Sequence, residues 1–153
     1  IRGVERSRGL GDVYKRQVNW YNVRNFLTFL RGIKLAKIFI IDDDVAIQYL
    51  YSEGLKIKGH EILDVASDGV SALEKLKNMK EQPEIIILDH KMPLKNGVET
   101  LIEIRKNKLC PNAKILFITA DGTIKETVKK FKVEKFIQKP FSILSLLSII
   151  DSI

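Results

Sequence analysis

Carboxylates, a hydroxyl and a lysine stand where apolar runs end, and that combination suits phosphoryl chemistry. Glu84-Ile85-Ile86-Ile87-Leu88-Asp89 carries four consecutive large apolar residues that stop on an acid. Lys37 to Ile41 stops on Asp42-Asp43-Asp44, Lys114 to Ile118 stops on Thr119-Ala120-Asp121, and a shorter run, Phe136-Ile137, leads to Lys139-Pro140. Two or three carboxylates within about 4–6 Å raise one another's pKa, a cost that a divalent cation removes. Mg²⁺, or Mn²⁺ in its place, takes hard oxygen ligands and keeps several waters, so two carboxylates, a backbone carbonyl and a phosphate oxygen would suffice. Asp89 as nucleophile would attack phosphorus while the metal and Lys139 neutralise the charge developing on the equatorial oxygens.

The elements that must position these groups follow from the hydrophobic pattern. A run apolar on both faces, such as Ile85 to Leu88, reads as a buried strand central in a parallel sheet. Strands are expected at Ala36 to Ile41, Glu61 to Ala66, Ile85 to Leu88, Lys114 to Ile118 and Lys135 to Gln138. Between them lie helices with inward faces Val45, Ile47, Leu50, Tyr51 and Leu55; then Val70, Ala72, Leu73 and Leu76; then Val98, Leu101, Ile102 and Ile104. Ser67-Asp68-Gly69 caps the second of these. A polar helix is expected from about Gly122 to Lys130 and a last one from Ser142 to about Ile150. Gly59-His60 and Asn96-Gly97 read as turns, with Gly97 supplying positive φ. Five strands alternating with five helices imply an α/β, doubly wound, flavodoxin-like parallel sheet, order 2-1-3-4-5, with helices on both faces. In that order the first and third strands are neighbours, so Asp42, Asp43 and Asp89 converge at the carboxyl edge, where such sheets bind ligands.

The net charge of +7 invites a nucleic-acid reading, but its location argues otherwise. Residues 1–34 hold eight Lys/Arg against two acids, whereas residues 35–153 hold eighteen against seventeen. The domain is nearly neutral, and no direct nucleic-acid binding by it is expected. Ile1 to Gln17 lacks apolar periodicity and the h-region of a signal peptide, and it resembles adapter-derived translation rather than native protein. Val18 to Lys34 is either a short amphipathic helix or translated untranslated sequence preceding a start at Leu35. The chain thus divides into a leader, 1–34, and a domain, 35–153. The apolar stretches around Phe26 to Ile41 and Phe141 to Ile150 are interrupted by cations or too short to span about 30 Å of hydrocarbon. Cys110 cannot form an internal disulfide, which fits a reducing, cytoplasmic setting. Neither His60 nor His90 is placed by sequence to activate it.

Residues 35–153 resemble the receiver domain of two-component response regulators, similar to the chemotaxis regulator. The resemblance rests on IFIIDDD, on DHKMPLKNG from Asp89 to Gly97, on ILFITAD, and on FIQKPF, four motifs in order at strand ends. It implies that Asp89 is the phosphorylated residue, that Asp43, Asp89 and the Lys91 carbonyl bind Mg²⁺, and that Asp42 holds a water of the metal. Asp44 would be a solvated helix cap. Thr119 would be the switch hydroxyl, small Ala120 would keep its path open, Lys139 would pair with the phosphoryl group, and the Lys139-Pro140 bond would be cis. Phe136 takes the position of the rotating switch aromatic. His90 and Lys91 fall at variable positions that tune dephosphorylation or are merely exposed. The implied partners are a histidine kinase or phosphotransfer protein upstream. Downstream, an output protein would meet the face formed by the fourth helix, fifth strand and fifth helix, with the chain a monomer or a phosphorylation-promoted dimer. Self-phosphorylation and autodephosphorylation would be its only catalysis.

Two other readings compete. IFIIDDDV also matches the strand-then-DxDx[TV] signature of haloacid-dehalogenase-type phosphatases, with Asp42 as nucleophile and Asp44 as general acid. That reading leaves Asp89 without a role and finds only Asp151 for the final acidic motif. A non-catalytic receiver-like scaffold is the other, and the presence of every required residue gives no reason to prefer it.

Overall fold

The structure, a computed structural model, describes residues 35–153; the leader expectations lie outside the described residues. The elements are β1 (Lys37–Ile41), α1 (Val45–Ile57), β2 (Glu61–Ala66), α2 (Gly69–Asn78), β3 (Ile85–Asp89) and α3 (Gly97–Lys106). There follow β4 (Lys114–Thr119), a 3-10 turn (Gly122–Ile124), α4 (Lys125–Lys129), β5 (Lys135–Gln138) and α5 (Ile143–Asp151). The strands form one parallel sheet, order β2-β1-β3-β4-β5. This is the doubly wound arrangement expected from the β-α alternation.

Alternation of side chains along each strand splits the core into two layers. Phe39, Ile41, Ile86, Leu88, Ile115 and Phe117 pack on one face with Leu73, Leu76, Leu101 and Ile104 of α2 and α3. Ile38, Ile40, Ile85, Ile87, Leu116 and Ile118 pack on the other with Tyr51, Leu55, Leu146 and Ile150 of α1 and α5. Both faces of β3 are thus dry, which is why its sequence does not alternate. Each such side chain contributes roughly 1.5–3 kcal/mol when fully buried, so the sheet edge is carried by a stiff platform.

Several helix faces differ from the sequence expectation. Val45, Leu50, Val70 and Ile102 are exposed rather than inward. On α1 the buried face runs through Gln48, Tyr51, Ser52 and Leu55, and Leu50 falls on the opposite side. Gln48 holds a core position there because its side-chain amide is satisfied by hydrogen bonds. The expected helix from Gly122 to Lys130 is broken into the 3-10 turn and the short α4, whose one buried residue is Val128. A single apolar anchor cannot hold a longer amphipathic helix in register. His60, which closes the turn between α1 and β2, is buried, and its Nδ1 accepts a hydrogen bond from the Ala36 N–H at 3.2 Å.

Candidate functional site

The carboxyl edge of the sheet gathers the strand-end residues because β1, β3, β4 and β5 are consecutive neighbours. Asp42 follows β1, Asp89 ends β3, Thr119 ends β4, and all three are buried. Lys139 follows β5, held by its N–H donating to the Thr119 carbonyl at 2.8 Å. Its Nζ donates to Asp89 Oδ1 at 2.6 Å and lies 3.7 Å from Asp42 Oδ2. The Lys139–Pro140 peptide bond is cis.

The loop after β1 is tied down at several points. The Asp42 N–H donates to the Ala66 carbonyl at 3.1 Å, and Asp42 Oδ1 accepts from the Asp44 N–H at 3.0 Å. Gln48 Nε2 donates to the Asp42 carbonyl at 2.6 Å and to Ser67 Oγ at 3.1 Å. Sequence reasoning missed Gln48, because a polar residue at helical spacing among apolar ones reads as surface. Asp44 is the N-cap of α1, its carboxylate accepting from the Ala46 and Ile47 N–H groups at 2.8 and 3.2 Å. Asp43 is exposed.

The loop after β3 is shaped by close backbone approach. Gly97 does not have positive φ; among the described glycines only Gly59 does, at 90°. The left-handed residue of this loop is Leu94, at φ 62°. Gly97 is instead the first residue of α3, its N–H donating to the His90 carbonyl at 2.9 Å. A Cβ there would run into the carbonyl oxygen of Asp89 and the Cα of His90, so the glycine gives room rather than conformational freedom. Asn96 caps α3 in a reciprocal box with Glu99, a pattern legible as Asn-x-x-Glu. Lys91 is exposed on this loop.

The electrostatics centre on two carboxylates sharing one ammonium. Burial pushes the Asp42 carboxyl up to about 6; the Asp44 N–H opposes this, and the charge of Asp89 adds to it. Asp42 Oδ2 is buried without a hydrogen-bond partner, and at 3.7 Å the Lys139 ammonium is too far to supply one. Burial alone would lower the pKa of Lys139, but its hydrogen bond to Asp89 and the charges of Asp89 and Asp42 outweigh that and raise it. Among the described residues no three His, Cys, Asp or Glu side chains form a cluster able to hold an ion by themselves. Of the three acids expected at this edge, Asp42 and Asp89 are buried and Asp43 is exposed. The donor set still fits a hard cation that keeps waters, since an unpartnered buried carboxylate oxygen is the group such a cation or its water satisfies.

A pH dependence follows. Because the folded-state pKa of Asp42 lies above the unfolded value, the folded state binds more protons, and stability falls as pH rises between the two. Displacement from 3.8 to about 6 corresponds to on the order of 3 kcal/mol. Urea melts of the metal-free protein should show this loss from the ordinary carboxylate range up to about 6, and Asp42→Asn should flatten the slope. An equal slope in the variant would contradict it.

On the other side of the site, Thr119 Oγ1 accepts from the Asp121 N–H at 3.0 Å, which leaves its own proton free to donate. Ala120 is exposed. Phe136 on β5 is half-buried and stacks on Phe117 with centroids 6.1 Å apart, and His90 lies against the same Phe117 at 5.8 Å.

Comparison with known proteins agrees with this geometry. A sequence model of the response regulator receiver domain family matches residues 38–151. The chemotaxis protein CheY of Thermotoga maritima is 33% identical over 107 residues, covering 69% of this chain and 86% of the relative. A CpxR homolog from Haemophilus influenzae, a transcriptional regulatory protein, is 32% identical over 121 residues, 78% of this chain but 50% of the relative. The chain spans about half the length of several curated relatives it matches. Among solved structures, the Borrelia burgdorferi CheX–CheY–BeF3–Mg²⁺ complex superposes with a TM-score of 0.70 at 27% identity, covering 81% of this chain and 92% of that one. A CheY-like receiver domain protein from Methanospirillum hungatei gives 0.68 at 27%, covering 78% and 93%. With four strand-end motifs, the sheet order and a match across the described domain in agreement, the chain belongs to the response regulator receiver domain family, the phosphoacceptor switches of two-component signal transduction.

Proposed function

We propose that Asp89 accepts a phosphoryl group from a histidine kinase or phosphotransfer protein and that the resulting aspartyl phosphate resets the face formed by α4, β5 and α5. The observation that carries this is a buried carboxylate at the end of β3 with the Lys139 ammonium 2.6 Å from its Oδ1. Asp89 forms the new P–O bond as the bond from phosphorus to the donor's imidazole nitrogen breaks. Lys139, already placed on the carboxylate, follows the negative charge onto the phosphoryl oxygens. Asp43, Asp89 and the Lys91 carbonyl would hold Mg²⁺, or Mn²⁺, and Asp42 a water on it. Bound there, the ion supplies charge neutralisation between the carboxylate and the phosphoryl oxygens.

Reading the signal falls to Thr119 and Phe136. The Thr119 hydroxyl donates to a phosphoryl oxygen, small Ala120 leaves the path clear, and Phe136 turns into the space Thr119 vacates. Such a step is a population shift between two packed states. A differential stabilisation of ~5.5 kcal/mol would carry it from one extreme to the other. Output is a protein contact through α4-β5-α5, with the chain monomeric or dimerising on phosphorylation, in the cytoplasm. No helix among the described residues is long and apolar enough to cross a membrane. The domain itself does not bind nucleic acid, although the CpxR homolog is a transcriptional regulatory protein.

The phosphatase alternative fares worse. It needs Asp44 as a general acid, yet that side chain is engaged as the cap of α1, accepting from the Ala46 and Ile47 N–H groups, and it leaves Asp89, the carboxylate that Lys139 contacts, without a role. Incubation with acetyl phosphate discriminates between the readings. The expected result is Mg²⁺-dependent formation of an acid-stable, alkali-labile phosphoprotein, one phosphoryl group per chain. Multiple-turnover release of phosphate from diverse esters would sink the receiver reading, and so would a complete lack of labelling, as a scaffold would show.

A further inference from the structure

At the opposite end of the sheet from Asp89, a groove of about 360 Å³ opens between the α3–β4 loop and the α4–β5 loop. Its apolar floor includes Ile104, Leu109, Pro111 and Ala113. Its charged lining is Arg105, Lys108, Lys114 and Lys132 against the single acid Glu134. In a domain that is otherwise nearly neutral, that local excess is conspicuous.

The cations differ in what they are free to do. Arg105 is spent on the fold: Nε donates to the Phe131 carbonyl and Nη2 to the Lys132 carbonyl, both at 2.9 Å. Burial lowers its pKa, so its charge lies in a partly dry wall where it acts at longer range than in water. Lys114 donates to the Ile153 carbonyl at 2.7 Å. Lys108 and Lys132 have no side-chain hydrogen-bond or ion-pair partner among the described residues. Both have left-handed backbones, φ 52° and 54°, each just past the end of a helix, where that conformation commonly closes the last turn.

We propose that this groove binds a small phosphorylated molecule with an apolar or ring-bearing body, the class represented by nucleoside diphosphates. Lys108 and Lys132 act as point charges on the phosphates, with Arg105 behind them, and the Ile104–Leu109–Ala113 floor takes the body. Charge decides against a monocarboxylate, which would leave most of the positive excess unbalanced. Size decides against inorganic phosphate, because ligand pockets of about 300 Å³ and more suit larger molecules. The site shares no residue with the Asp89 cluster and does not depend on its phosphorylation.

Calorimetric titration of the full chain without divalent ions, using a nucleoside diphosphate and inorganic pyrophosphate, tests the assignment. The nucleoside diphosphate should bind saturably. Loss of two charge-assisted hydrogen bonds in Lys108→Gln/Lys132→Gln should weaken it by about tenfold or more, with the melting midpoint of the ligand-free variant unchanged. Lys125→Gln/Lys129→Gln, which removes the same charge from α4, should bind as the unaltered chain does. Absence of saturable binding, equal weakening in both variants, no weakening in either, or pyrophosphate binding as tightly as the nucleoside diphosphate would each overturn the proposal.

Discussion

Asp89→Asn should reduce labelling by acetyl phosphate to background while leaving the fold intact. An amide has no anionic oxygen to attack phosphorus, and Asp89 is the carboxylate on which Lys139 is placed, at 2.6 Å. Asp42 cannot take over, since its Oδ1 is engaged by the Asp44 N–H and its proton affinity is raised by burial. The fold survives because the substitution removes one of two buried carboxylates competing for one ammonium, and Lys139 remains 3.7 Å from Asp42. Circular dichroism and urea melts should therefore match the unaltered chain to within about 1 kcal/mol. Labelling at an undiminished level in this variant would remove Asp89 from the mechanism.

Gly97→Ala should be damaging in a different way. The added methyl group would overlap the Asp89 carbonyl oxygen and the His90 Cα. Both are backbone, so neither can step aside as a side-chain tip would. Either α3 withdraws, losing the Gly97 N–H bond to the His90 carbonyl, or the end of β3 moves. Overpacking of this kind costs about 1–3 kcal/mol and occasionally more, and the upper end is expected here. Displacing Asp89 by about 1 Å can cost on the order of 10²-fold in rate, so phosphorylation should slow together with the fall in urea midpoint. A variant that melts and labels normally would show that the loop after β3 has more room than its contacts indicate.

The parts of this domain legible in the sequence are those where one physical demand dominates. Ile85 to Leu88 must be dry on both faces, so β3 and its central place in the sheet follow from the run itself. Asp89 and Thr119 stand out because each ends such a run, and Lys139 because it follows a strand and precedes a proline. Legibility fails where two demands compete. Gln48 sits on the buried face of α1 since the loop around Asp42 needs a donor, a need that helical spacing cannot register. Leu50 and Ile102 are apolar yet exposed, for periodicity over three or four residues does not fix which side faces the sheet. Gly97 follows Asn96 in a turn signal that suggests positive φ, whereas its task is to let α3 start against the backbone of Asp89. Asp42 and Asp43 are adjacent acids after the same run, and their types alone do not register that Asp42 is buried and Asp43 exposed.

One chemical readout addresses Asp89 without passing through a variant. Borohydride reduces the acyl phosphate of an aspartate to homoserine, so treating the protein after acetyl phosphate and Mg²⁺ writes the phosphorylated position into the sequence. Peptide mass spectrometry should find homoserine at position 89 and nowhere else. Homoserine at Asp42 or Asp43, or none under conditions that label the protein, would contradict the assignment of Asp89 as phosphoacceptor.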